Sequence, residues 1–179
     1  MSFTKKEKLK ELIWFVSRNY NDRLYETKLW KLLFFVEADY FEKYGELISG
    51  VSYIKNSYGP TPSYPVAKKA LEELKSGGYL IKNKEDIYIA KNDLFLKYLD
   101  DKKLDAIRAT CEKYYKLSVN DICILAHKDP IFLGAEKNKV VDFGFVRYRD
   151  EDGFDIDQNH LERIKFSEEA EKKLLALVQ

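Results

Sequence analysis

Residues 27–45 read TKLWKLLFFVEADYFEKYG, and this stretch decides the fold. Leu29, Leu32, Leu33, Val36 and Tyr40 recur at helical spacing on one side, while Trp30, Phe34, Ala38 and Phe41 form a second apolar side. A helix that is apolar nearly all round belongs in the middle of a core. The Thr27 hydroxyl suits the cap at its start, and Gly45 suits the left-handed residue just past its end. At roughly 100° per residue, Lys28, Lys31, Phe35 and Asp39 fall within about 80° of arc, and Glu37 points elsewhere. Two cations and a carboxylate in one stripe read either as a partner- or anion-binding face or as the solvated edge of the helix.

The flanking segments supply what this helix packs against. Leu9, Leu12, Ile13, Val16 and Tyr20 predict a helix from about Thr4 to Tyr20, with Thr4 and Glu7 as a capping box and a turn over Asn19–Arg23. Gly50–Pro62 reads as a short extended segment followed by a rigid turn at Gly59-Pro60-Thr61-Pro62, because two prolines cannot continue a helix or a central strand. Ala67, Ala70, Leu71 and Leu74 predict a helix over Tyr64–Ser76, stopped by Gly77-Gly78. A hairpin follows, with strands Tyr79–Lys82 and Ile87–Ala90. Further helices are predicted at Leu94–Leu99, at Lys102–Tyr115 and at Val119–His127, the last capped by Ser118 with Asp121 and closed by Asp129-Pro130. Val140–Arg149 is β-rich, Asp150–Asp157 is an acidic loop, and Ser167–Val178 is a final amphipathic helix. With no internal repeat or linker, residues 1–179 read as a single α+β domain, mainly α.

Composition narrows the function. The 179 residues carry 31 Lys+Arg against 30 Asp+Glu, a net charge of +1, so there is no global field for nucleic acid. Leu29–Phe41, the greasiest stretch, is interrupted by Lys31, Glu37 and Asp39 and falls short of a membrane span. No apolar signal core opens the chain, and two cysteines build no disulfide framework, which points to the cytoplasm.

Candidate chemistry is sparse. A metal site would draw on Cys111, Cys123, His127 and His160; Cys123 and His127 stand i, i+4, but Cys123 shares the apolar face with Val119, Ile122 and Ala126, as a core cysteine does. The acidic run at Asp150 fails as a calcium loop, since Tyr148 and Asn159 occupy the positions that require Asp and Glu. No nucleotide, hydrolase or zincin motif occurs, so neither an enzyme nor a cofactor is indicated; His127 alone titrates near neutrality on an ordered element. Tyr58-Gly59-Pro60, flanked by Tyr53 and Tyr64, reads either as a structural turn or as a rigid aromatic docking surface. The Tyr64 helix and the hairpin after it look like a winged helix, yet Ser63–Asp86 carries a net charge of only +1, which disfavours DNA.

Four segments in order resemble the Panacea domain of SocA-like antitoxins. Thr27-Lys28-Leu29-Trp30-Lys31-Leu32-Leu33-Phe34 resembles its T-K-L-x-K-[IL]-L-[FY] helix. Ile48-Ser49-Gly50-Val51-Ser52-Tyr53 and Gly59-Pro60-Thr61-Pro62 resemble its I-T-G-x-x-Y and G-P-x-P elements, and Ser118–His127 its later S-x-x-E-[IL]-S-x-x-[ST]-H element, with Asp121 in place of Glu and Ala126 before the histidine. The family often has Asn or Gln where Trp30 stands, and a Trp-containing segment where Asp129-Pro130-Ile131 stands. The resemblance implies a mainly helical antitoxin that binds a cognate protein toxin encoded by a neighbouring gene, without catalysis; self-association is left open. With it in mind, Lys28, Lys31, Asp39, Tyr53, Tyr58, Gly59, Pro60 and His127 are the candidate partner-binding residues.

Overall fold

The computed structural model describes residues 3–20 and 23–149. The predicted acidic loop at 150–157 and the helix at 167–178 lie outside them. Its elements are α1 (Phe3–Asn19), α2 (Glu26–Tyr44), the strand pair β1 (Tyr53–Asn56) and β2 (Gly59–Pro62), α3 (Tyr64–Ser76), the strand pair β3 (Leu80–Lys82) and β4 (Tyr88–Ala90), α4 (Asp101–Tyr114), α5 (Val119–Lys128), the single turn α6 (Pro130–Leu133), and a 3₁₀ helix over Phe143–Tyr148. The fold is α+β and mainly α, with two separate antiparallel strand pairs.

The central helix is α2, which contacts α1, α4, α5, β2 and the 3₁₀ helix. Every residue from Lys28 to Ala38 is buried, as its all-round apolar character requires. Phe35 stacks on Tyr114 of α4 at 4.4 Å, and Phe34 meets Phe143 at 6.0 Å and Tyr53 at 6.3 Å. Each such ring pair adds about 0.5–1.5 kcal/mol beyond its buried area. Gly45 ends the helix at φ +71°, its N–H donating to the Phe41 carbonyl at 2.7 Å. The start differs from the expectation: α2 begins at Glu26 behind Tyr25, which makes no side-chain cap, so Thr27 lies within the first turn. In the same way α1 already includes Phe3, ahead of the predicted Thr4 cap.

Three further segments depart from the sequence reading. Leu94–Leu99 is not helical, because the buried Glu11 carboxylate of α1 accepts hydrogen bonds from the backbone N–H groups of Lys97, Tyr98 and Leu99 at 2.8, 2.8 and 3.1 Å. Those groups are thereby drawn away from any helical ladder. Gly59-Pro60-Thr61-Pro62 is itself strand β2, paired Tyr53↔Pro62, Ile54↔Thr61, Lys55↔Pro60 and Asn56↔Gly59. A two-stranded ribbon has only edges, and prolines are tolerated where the missing N–H faces away from the partner. Finally, the β-rich run Val140–Arg149 is mostly a 3₁₀ helix over Phe143–Tyr148; only its start is β-like, where Val140 bridges to Ile54 and the Val141 N–H donates to the Tyr53 carbonyl at 2.9 Å. Asp142 nucleates that helix by accepting from the Gly144 N–H at 2.8 Å.

Candidate functional site

The β1–β2 turn projects beside the N-terminal half of α2. Asn56 shapes it, accepting from the Tyr58 N–H at 2.9 Å and donating to Thr61 Oγ1 at 2.7 Å. Gly59 follows at φ +96°, a region that disfavours any side chain. A Cβ there would stand 2.8 Å from Lys31 Nζ, 2.9 Å from Lys31 Cε and 3.4 Å from His127 Cε1, so the end of the Lys31 side chain would have to give way. The turn, α2 and α5 therefore converge on the backbone of Gly59.

Between α2, this turn and the start of α3 lies a cleft of about 380 Å³. Its lining includes Glu26, Trp30, Lys31, Tyr58, Thr61 and Tyr64. The two tyrosines stand out from the surface, 78% and 65% exposed, whereas Trp30 is 9% exposed. Pro65 at the first turn of α3 needs no N–H partner there and fixes the direction in which Tyr64 leaves β2.

Lys31 is 1% exposed, and among the described residues its ammonium makes one hydrogen bond, to the Pro60 carbonyl at 3.2 Å. Burial pushes its pKa down from 10.5 to about 8, with Cys123 acting the other way. No carboxylate pairs with it among the described residues. Glu26, at the rim, is committed elsewhere: it accepts from the Tyr88 hydroxyl at 2.9 Å and lies 3.8 Å from Lys82 Nζ.

The remaining candidates separate from this cleft. Lys28 is 3% exposed and held by the Tyr115 carbonyl at 3.3 Å, by the Leu117 carbonyl, and by the Tyr20 ring at 4.9 Å. The stripe of α2 is thus not a solvated edge: Lys28 is held by the segment between α4 and α5 and Phe35 by α4, while Lys31 lines the cleft and Asp39 is half-buried. Asp39 receives the Arg149 guanidinium at 2.9 Å and the Thr110 hydroxyl at 3.1 Å. Tyr53 is wholly buried, and its hydroxyl has no partner among the described residues. Burial, followed by the Glu37 charge, raises its pKa well above the usual value. His127 donates through Nδ1 to the Cys123 carbonyl at 2.7 Å and meets Phe132 edge-on at 4.7 Å. Of the predicted set, Lys31, Tyr58, Gly59, Pro60 and His127 come together, while Lys28, Asp39 and Tyr53 do not join them.

Two buried ionic centres escaped the sequence reading. Glu37 is fully buried and accepts from the Ile48 N–H at 2.6 Å, the Ser49 N–H at 3.0 Å and the Ser49 hydroxyl; burial still raises its pKa to about 7. Arg149 joins Asp129 at 2.5 Å, Asp39 at 2.9 Å and Glu42 at 3.3 Å. Burial alone would lower the Arg149 pKa, but the charges of Asp129 and Asp39 more than offset it and raise it. The only available signal for Glu37 was a lone carboxylate on an otherwise apolar face.

Among the described residues no group of three His, Cys, Asp or Glu is placed to hold a metal ion, and no helix is long and apolar enough to cross a membrane. Cys111 is buried, which pushes its thiol up to about 12.

A sequence model of the family described as antitoxin SocA-like, Panacea domain, matches residues 29–131, more than half of the chain. The chain belongs to this family. The matched span runs from α2 into α6, so the Panacea match contains the entire cleft except Glu26 and Thr27. No curated protein and no solved structure matches the chain.

Proposed function

We propose that this Panacea-domain protein is an antitoxin that neutralises a toxin encoded by a neighbouring gene through direct protein binding. The observation that carries the reading is the pair Tyr58 and Tyr64, exposed on either side of a cleft within the family-matched span. Exposed aromatics on a rigid turn cost little entropy to dock and dominate many protein interfaces. The wing-like alternative is less well supported, because α3 and its hairpin carry little net charge and two of their five lysines lie against carboxylates, Lys68 at 3.9 Å from Glu72 and Lys82 at 3.1 Å from Asp86. Such pairing leaves little charge for the phosphates that DNA binding requires.

The test is co-expression. The neighbouring gene alone should arrest growth, and this chain should restore it and co-purify with the product. The double variant Tyr58→Ala, Tyr64→Ala should keep its helical circular dichroism and weaken the complex about 30-fold or more, the effect of losing central aromatic anchors. Normal growth with the neighbouring gene alone refutes the antitoxin reading. Full rescue by the double variant refutes the cleft as the docking face.

A further inference from the structure

We propose that the cleft between α2, the β1–β2 turn and α3 receives a carboxylate side chain from the protein partner, with the Lys31 ammonium as its counter-ion. This rests on the cleft being the docking face. A buried ammonium is ordinarily paired, yet the one acceptor that Lys31 has among the described residues is a neutral carbonyl, Pro60 at 3.2 Å. It lines the cleft, and the glycine at position 59 is what lets Nζ reach that position.

The groups around it leave the pairing open. Cys123 and His127 approach from α5, Tyr58 from the turn and Tyr64 from α3, and Glu26 is bound to Tyr88 and Lys82. One cation balances one negative charge, which fits a carboxylate. A phosphate dianion would need more positive charge than the cleft supplies. Trp30, Tyr58 and Tyr64 give apolar walls for the methylene stem of a glutamate.

The test needs no toxin. N-acetylglutamate N-methylamide is titrated into the ¹³C,¹⁵N-labelled protein and compared with the glutamine analogue, with the Trp30 indole, Tyr58 and Lys31 Cε resonances followed by NMR. The glutamate compound should saturate with a dissociation constant on the order of 1 mM, about tenfold tighter than the glutamine compound. It should also raise the titration midpoint of Lys31, a readout available in the unsubstituted protein. Lys31→Met should abolish the difference between the two compounds. Equal responses to both, or a preference for glutamate that survives in Lys31→Met, overturn the proposal. If the tyrosine double variant fails in co-expression while no carboxylate binds, the docking reading stands and this inference alone falls; carboxylate binding with full rescue by the double variant overturns both, because the cleft then takes a carboxylate that does not come from the partner.

Discussion

Lys31→Met should make the protein more stable at neutral pH. Burial lowers the Lys31 pKa from 10.5 to about 8, and at about 1.4 kcal/mol per tenfold change in proton affinity the charged form costs about 3 kcal/mol in the folded state. Methionine keeps the length of the stem and removes the charge. It also leaves the Pro60 carbonyl without its donor, a loss of about 1 kcal/mol, so the net gain is about 2 kcal/mol. The sign with pH follows from proton uptake. Below about pH 8 the lysine is charged in both states and the penalty is complete. Between about 8 and 10.5 the unfolded chain binds more protons than the folded one, so the parent protein gains stability as pH rises and the advantage of the variant fades. Urea unfolding at pH 7 and pH 10, monitored by circular dichroism, reads both effects. The buried tyrosines Tyr53, Tyr88 and Tyr114 are all shifted upward by burial and are common to both proteins, so they cancel in the comparison. A variant less stable than the parent at pH 7, or a difference that does not change by pH 10, would refute the reasoning.

Glu37 should impose the opposite trend in acid. Its folded pKa of about 7 lies above the ordinary 4.5, so between these values the folded state binds more protons and stability falls as pH rises, by about 3 kcal/mol; Glu37→Gln should remove that fall in urea unfolding at pH 5 and 7.5. Parallel pH trends in the two proteins would show that Glu37 stays ionised throughout. Arg149→Met should cost about 3–5 kcal/mol at pH 7, because it strands the buried Asp129 carboxylate, and a loss under about 1 kcal/mol would deny the cluster its structural role. Gly59→Ala should cost about 2–3 kcal/mol in thermal unfolding, since it combines φ +96° with an approach of 2.8 Å to Lys31 Nζ. Gly45→Ala, with nothing within 4 Å of the new Cβ, should cost only about 1–2 kcal/mol from φ +71°; equal costs would mean that the Lys31 side chain moves aside without penalty.

Much of the fold was legible where local rules and tertiary demands agree. The apolar circumference of α2, the Ser118 cap accepting from Asp121 N–H at 3.1 Å, and the Asn83–Asp86 turn between β3 and β4 all follow from residues close in sequence. Legibility failed where a distant group took control of the backbone. Nothing within Leu94–Leu99 announces that Glu11, on another helix, will take three of its N–H groups. The stripe on α2 shows the same limit. Its angular position was correct, but periodicity gives only the direction of a side chain and not what meets it: the α4–α5 segment takes Lys28, and the β1–β2 turn takes Lys31. The Gly-Pro element was recognised as rigid, while its pairing as strand β2 depended on β1 arriving opposite.

Lys28 and Lys31 show how two residues of one stripe can differ in role while both are buried. They sit one turn apart on α2, 3% and 1% exposed. Lys28 is met by the Tyr115 and Leu117 carbonyls and by the face of Tyr20, so it ties α2 to the segment between α4 and α5. Lys31 is met by one carbonyl and opens onto a cleft. A methionine would fill the same space without the cost of burying charge, so stability alone does not account for a lysine there. The proposed partner carboxylate would recover that cost by completing the pair. In the proposed reading Lys31 therefore goes with the docking surface and Lys28 with the scaffold, and the Met variant should gain stability while losing its preference for a carboxylate.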